Sequence, residues 1–163
     1  MKKISILGLG YVGLPLLLQI AKRKKVIGFD INKKRIYQLL RCIDEYNEHS
    51  FKDIKRVKKN LLFTSDKNKI KNSDLFIVTV PTPVDNKNKP NLKFIIDATK
   101  TVASLIKKNS VVVYESTVFP GCTEEVCVPI IEKISKLKFN KDFFCGYSPE
   151  RINVGCLLYT SPS

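Results

Sequence analysis

The sequence is short of metal ligands and of long apolar runs. It holds one histidine, His49, and its five cysteines, Cys42, Cys122, Cys127, Cys145 and Cys156, include no CxxC pair and lie away from the histidine. This argues against a zinc-type site, and no metal is expected. An odd cysteine count without a secretory leader fits reduced thiols better than a disulfide framework. No apolar run is long enough to cross a bilayer. The basic N-terminus meets Gly8, Gly10 and Gly13 where a signal peptide needs an unbroken apolar segment. A soluble, cytoplasmic protein is expected. Acidic residues are also scarce, 15 against 29 basic ones, for a formal charge of +14. Positive charge draws phosphates, but here the lysines are scattered among asparagines and isoleucines as a compositional bias. They speak to solubility before function, and no specific nucleic-acid partner is expected.

What is present is the material of one folded domain. The chain has 163 residues, 44% of them hydrophobic, enough to bury a substantial core. Apolar and amphipathic segments alternate from the start. KISIL (3–7) is strand-like, and Leu14, Leu17, Leu18 and Ala21 give the next segment one apolar helical face. VIGFD (26–30) reads as a second strand. A helix over 32–41 follows, with Asn32 as N-cap and Ile36, Leu39 and Leu40 as its apolar face. Residues 42–61 are irregular, a loop with a short helix, and LLFTSD forms a small strand. Strands are then predicted over 74–80, 109–116 and 143–147. Helices are predicted over 92–107 and 122–137, the latter with a kink at Pro129, and the prolines of 81–91 keep that segment in a loop. Strands rich in valine, isoleucine and phenylalanine between helices predict α/β architecture, a doubly wound parallel sheet of the Rossmann type.

The stretch ILGLGYVGLPL carries the first chemical signal. A lone GxGxxG marks turns as readily as cofactor sites. This one follows a predicted strand, opens a predicted helix and precedes Asp30 at the end of the second strand, the spacing of a dinucleotide site. Gly8 permits the sharp turn, Gly10 leaves the backbone open to a pyrophosphate, and Gly13 lets helix and strand pack closely. The phosphates would meet the helix N-terminus. Asp30 would accept from the adenosine ribose hydroxyls and repel a 2′-phosphate, which favours NAD. Lys33, Lys34 and Arg35, just downstream, either accommodate a 2′-phosphate or form a solvated helix face.

Three further polar clusters fall at predicted strand ends, where ligands bind in open parallel sheets. They are Thr82, then Ser116 with Thr117, then Ser148 with Glu150 and Arg151. Each has a bland reading: threonine as a cap, Pro-Thr-Pro as a rigid turn, Glu-Arg as a surface ion pair. Together at one edge they favour a site.

In this order and spacing LGLGYVGLPL, GFDIN, VTVPTPVD, YESTVFPGCTEE and CGYSPERIN resemble the N-terminal domain of the UDP-glucose/UDP-N-acetylhexosamine 6-dehydrogenase family. The run from Tyr114 to Asn153 is most similar to the bacterial enzymes that oxidise UDP-N-acetylglucosamine or UDP-N-acetylgalactosamine for capsule or O-antigen polysaccharides. The resemblance implies an NAD-binding domain over 1–155. Beside the loop glycines Gly8, Gly10 and Gly13, it implies NAD contacts from Tyr11, Val12, Asp30, Arg35, Thr82 and Thr117. Glu150 matches the family acid that positions or activates water, and Arg151 and Ile152 begin the UDP-sugar contacts. The implied chemistry is a double oxidation at C6, alcohol to aldehyde and then, through a cysteine thioester, to carboxylate, with two NAD reduced. A homodimer or higher homo-oligomer is implied for the full-length form.

The family's nucleophilic cysteine, catalytic lysine, central helix and C-terminal domain would lie beyond the residues present. None of the five cysteines sits in the nucleophile motif, and the chain alone is expected to bind NAD without completing turnover. Residues 156–163, CLLYTSPS, resemble translated adapter read-through more than they resemble the family, and they carry no part of the functional reading. Two other readings stay open here: a Rossmann dehydrogenase of the 6-phosphogluconate or 3-hydroxyacid type, and a non-catalytic NAD-binding module.

Overall fold

A computed structural model describes residues 2–46, 48–83 and 90–148. Apolar runs of four or five residues become the strands β1 (Ile4–Leu7), β2 (Val26–Phe29), β3 (Leu61–Thr64), β4 (Leu75–Val78), β5 (Ser110–Tyr114) and β6 (Phe143–Tyr147). Between them lie the helices α1 (Gly13–Ala21), α2 (Lys33–Leu40), α3 (Phe51–Val57), α4 (Lys93–Ala103) and α5 (Val128–Ser135). All six strands pair in parallel, in the order β3-β2-β1-β4-β5-β6. The chain starts in the middle of the sheet, builds outward one way and then returns to build outward the other, as the doubly wound reading predicts.

Alternate residues along the strands feed two separate cores. Ile4, Ile6 and Ile77 join Leu14, Leu17, Ile36, Leu39 and Ile54. Leu7, Phe76, Val78, Val112 and Tyr114 join Ile95, Val102, Cys127 and Ile131. Because successive strand side chains point to opposite faces, α1, α2 and α3 cover one face and α4 and α5 the other. This two-sided burial is why the strands read as continuous apolar runs.

One helix cap is as predicted, and a second was not read from the sequence. The Asn32 side chain caps α2 by accepting from the Lys34 and Arg35 amides. Ser50 and Asp53 form a reciprocal capping box on α3. The differences have local causes. Leu40 is 48% exposed, since α2 ends there and the chain turns through Cys42 at φ 58°; the buried face of α2 consists of Arg35, Ile36 and Leu39. The predicted helix over 92–107 stops at Ala103. The predicted kink near Pro129 takes the form of a π-helical turn, Thr123–Cys127, directly before α5, with Pro129 in the first turn of that helix. No helix of the described residues is long and apolar enough to cross a membrane.

Candidate functional site

β1 lies between β2 and β4, the point where the sheet order reverses. Beyond the carboxyl ends of β1, β2, β4 and β5 opens a cavity of about 800 Å3, within the range of cofactor sites. Its walls are Leu7–Val12, Phe29–Asn32 with Arg35, Glu45 and Tyr46, Thr79–Thr82, Glu115–Thr117, and one side of α4. Gly8, Gly10, Tyr11, Val12, Asp30, Arg35, Thr82 and Thr117 are thus brought to one cavity. Gly13 is buried behind it, at the start of α1. Ser148 stays with the sheet, its amide donating to the Tyr114 carbonyl. Glu150, Arg151 and Ile152 lie outside the described residues.

The three glycines differ in what they require. Gly8 has φ +94°, and its amide donates to the Phe29 carbonyl at 2.9 Å. A Cβ on Gly13 would overlap the Gly8 carbonyl oxygen and stand 2.5 Å from Thr79 Oγ1. A Cβ on Gly10 would meet no protein atom within 4 Å. Gly8 and Gly13 are therefore demanded by the fold, whereas packing leaves room at Gly10. That open backbone, at the approach to an α1 N-terminus with no side-chain cap and no acid in its first turn, fits the pyrophosphate of a dinucleotide.

Leu9, between the glycines, is held at both polar groups. Its amide donates to Asp30 Oδ2 at 2.8 Å, and its carbonyl accepts from Arg35 Nε at 2.9 Å. Asp30 Oδ1 also accepts from the Asn32 amide at 2.9 Å. An ionised carboxylate has about four acceptor positions, so Asp30 keeps capacity for ribose hydroxyls. Across the cavity the Thr82 hydroxyl donates to the Thr117 carbonyl at 2.6 Å and Ser116 to the Val80 carbonyl at 2.7 Å. These bonds tie the loops after β4 and β5 together, as a rigid turn would, and leave the hydroxyl lone pairs as acceptors. Thr79 bonds the Leu7 and Gly8 carbonyls at 3.0 and 2.7 Å, fastening the glycine turn to β4.

Four residues of this site escape a reading of local pattern: Thr79, Asp44, Glu45 and Tyr46. Thr79 shows only as a polar residue closing an apolar strand. The others come from the irregular segment after α2, folded back against the cavity. Arg35 is 2% exposed, and its Nη1 stands 2.8 Å from Asp44 Oδ1 with both side chains buried. Its guanidinium lies 4.6 Å from the centre of the Tyr46 ring, which in turn stacks on Tyr11 at 4.2 Å. Arg35 is thus neither a solvated face nor an open phosphate receptor; only Lys33 and Lys34 are exposed. Burial raises the Tyr46 hydroxyl above its ordinary range, opposed by the Arg35 charge.

No cysteine is among the described residues of the cavity wall. Cys42, Cys122 and Cys127 are buried, and Cys145 is half-buried. Burial pushes the Cys122 thiol up to about 11 and that of Cys145 to about 12. Thiols of that kind are inert at neutral pH. Among the described residues no His/Cys/Asp/Glu cluster could hold a metal ion.

A family model described as "UDP-glucose/GDP-mannose dehydrogenase family, NAD binding domain" matches residues 2–161. The UDP-N-acetyl-D-glucosamine 6-dehydrogenase of Salmonella typhi is 49% identical over 153 residues, 94% of this chain and 36% of the relative. Protein CapL of Staphylococcus aureus is 48% identical over 159 residues, 98% of this chain and 37% of the relative. The structure of a UDP-D-ManNAc dehydrogenase from Pyrococcus horikoshii superposes with a TM-score of 0.86 at 30% identity, over 93% of this chain and 37% of that one. The chain therefore spans little more than a third of the length of the curated relatives it matches.

Proposed function

The chain belongs to the UDP-glucose/GDP-mannose dehydrogenase family, and we propose that it is the NAD-binding part of a UDP-sugar 6-dehydrogenase whose substrate is a UDP-N-acetylhexosamine. The observation that carries this reading is the cavity at the reversal of strand order. It joins an open glycine backbone, an uncapped helix N-terminus and the Asp30 carboxylate. NAD, when bound, supplies the acceptor for hydride from the C6 carbon of the sugar.

This chain's own residues bind and orient. Gly10 lets the pyrophosphate approach the start of α1, Asp30 accepts from the adenosine ribose, and Tyr11 and Val12 form the adjoining wall. Thr82 and Thr117, fixed to each other, line the opposite side. Glu150, as the acid that positions water, and Arg151 with Ile152, as the first UDP-sugar contacts, belong to the same proposal on the strength of the SPERIN motif. So do a homo-oligomeric full-length form, a cytoplasmic location and a role in surface polysaccharide synthesis. None of the described cysteines lines the cavity, and none of them is assigned a catalytic role.

The test has two parts. Calorimetric titration of the chain with NAD is expected to give saturable binding at one site. A protein of the relatives' length carrying these residues is expected to reduce NAD with UDP-N-acetylglucosamine or UDP-N-acetylgalactosamine. Absence of NADH formation with every UDP-hexose and UDP-N-acetylhexosamine overturns the assignment.

A further inference from the structure

An arginine near the ribose-binding acid can accommodate the 2′-phosphate of NADP. Arg35 stands there, next to the Leu9 peptide that Asp30 also holds. In this protein the guanidinium is engaged elsewhere. Asp44 Oδ1 lies 2.8 Å from Nη1, and the two side chains are 3% and 1% exposed. Asp44 is itself fixed, since its carboxylate accepts from the Tyr46 and His49 amides at 3.3 and 3.1 Å. Those bonds carry Tyr46 over the guanidinium at 4.6 Å. Both terminal nitrogens of Arg35 are shielded from solvent, with no directed hydrogen bond among the described residues. The charge is neutralised and covered at the place where a phosphate would seek it.

We propose that Asp44 is a specificity-determining positioning residue: by pairing Arg35 beneath Tyr46 it withholds that guanidinium from a 2′-phosphate, so the cavity takes NAD over NADP. This deepens the cofactor reading above and rests on it. Two carboxylates then cooperate. Asp30 repels the 2′-phosphate directly, and Asp44 removes the compensating charge. Lys33 and Lys34 remain exposed on α2, where water and salt screen them.

The experiment measures dissociation constants of NAD and NADP for the full chain and for Asp44→Asn. The variant frees the guanidinium, and the NADP-to-NAD ratio of dissociation constants is expected to fall about tenfold, the scale of one screened charge contact. The double variant R35M/D44L removes both charges and is expected to keep the original ratio. A folded D44N protein with unchanged preference overturns the proposal, as does an equal fall in the double variant. D44N leaves a buried cation unpaired and lowers stability, so a second measurement uses the unmodified chain across a salt series. NADP is expected to bind more weakly than NAD at every salt concentration, with a gap that does not widen as salt rises. A widening gap that persists when Lys33 and Lys34 are replaced by glutamine means that the Arg35 guanidinium is free to receive the 2′-phosphate, and it overturns the proposal. If NAD itself fails to bind, the cofactor reading falls; if NAD binds and the preference ignores Asp44, only this inference falls.

Discussion

Gly10 and Gly13 share one motif yet answer to different forces. Gly13 sits where a methyl group would collide with the backbone of Gly8, so Gly13→Ala is expected to lower unfolding free energy by about 3 kcal/mol, the upper range of overpacking. Gly10→Ala meets no protein atom and is expected to change stability by less than about 1 kcal/mol. It should nevertheless weaken NAD binding by about tenfold or more, because the added methyl occupies the approach to α1. Urea denaturation and NAD titration of both variants check the pair; equal losses of affinity at unchanged stability refute the division. The cysteines act on stability. Their thiols titrate near 9 when unfolded, but burial raises Cys122 to about 11 and Cys145 to about 12. The unfolded chain therefore releases these protons first as pH rises. Their contribution is present in full below about pH 9 and is lost progressively up to about pH 12. Denaturation midpoints across that window are expected to fall, and less so in Cys145→Ser than in the unmodified chain.

At the scale of elements, helix ends offer tests of opposite sign. Ser50 caps α3, its hydroxyl accepting from the Asp53 amide while the Asp53 carboxylate accepts in return. Ser50→Ala is expected to cost about 1 kcal/mol. Ser50's hydrogen bonds hold the Asp53 carboxyl below the usual carboxylate range. That contribution is present at neutral pH and lost as pH falls through the lowered value, so the penalty of the substitution shrinks in acid. Lys136 closes α5 at φ 63°, exposed and left-handed; Lys136→Gly is expected to stabilise by about 0.5–1 kcal/mol. Thermal melting of the two variants, one lowered and one raised, checks both. The Asn32 cap was legible because capping is a contact between near neighbours. The end of α4 and the π-helical turn before Pro129 were not, since they depend on how the helices meet the sheet. Leu40 illustrates the same limit. Its spacing fits the apolar face, but the helix ends there and the core position goes to the buried Arg35.

For the whole molecule, a formal charge of +14 on 163 residues opposes compaction by self-repulsion. Ion pairs such as Asp74 with Lys107 at 2.7 Å relieve only part of it. Raising ionic strength from about 0.01 to 0.15 M is expected to raise the melting temperature, because screening weakens the many repulsions more than the few pairs. A melting temperature that falls with salt would show that the pairs dominate instead. The doubly wound sheet, the glycine turn, Asp30 and the strand-end threonines could all be read along the chain. Each follows from local rules: two-sided burial of strands, the conformational freedom of glycine, and the spacing of one βαβ unit. The electrostatic character of the cavity beside Asp30 could not. Arg35 and Asp44 are nine positions apart and belong to no shared pattern, and either would be solvated in isolation. Folding the segment after α2 over the cavity removes water from both, and that shared burial turns two surface-type charges into one covered, neutral pair.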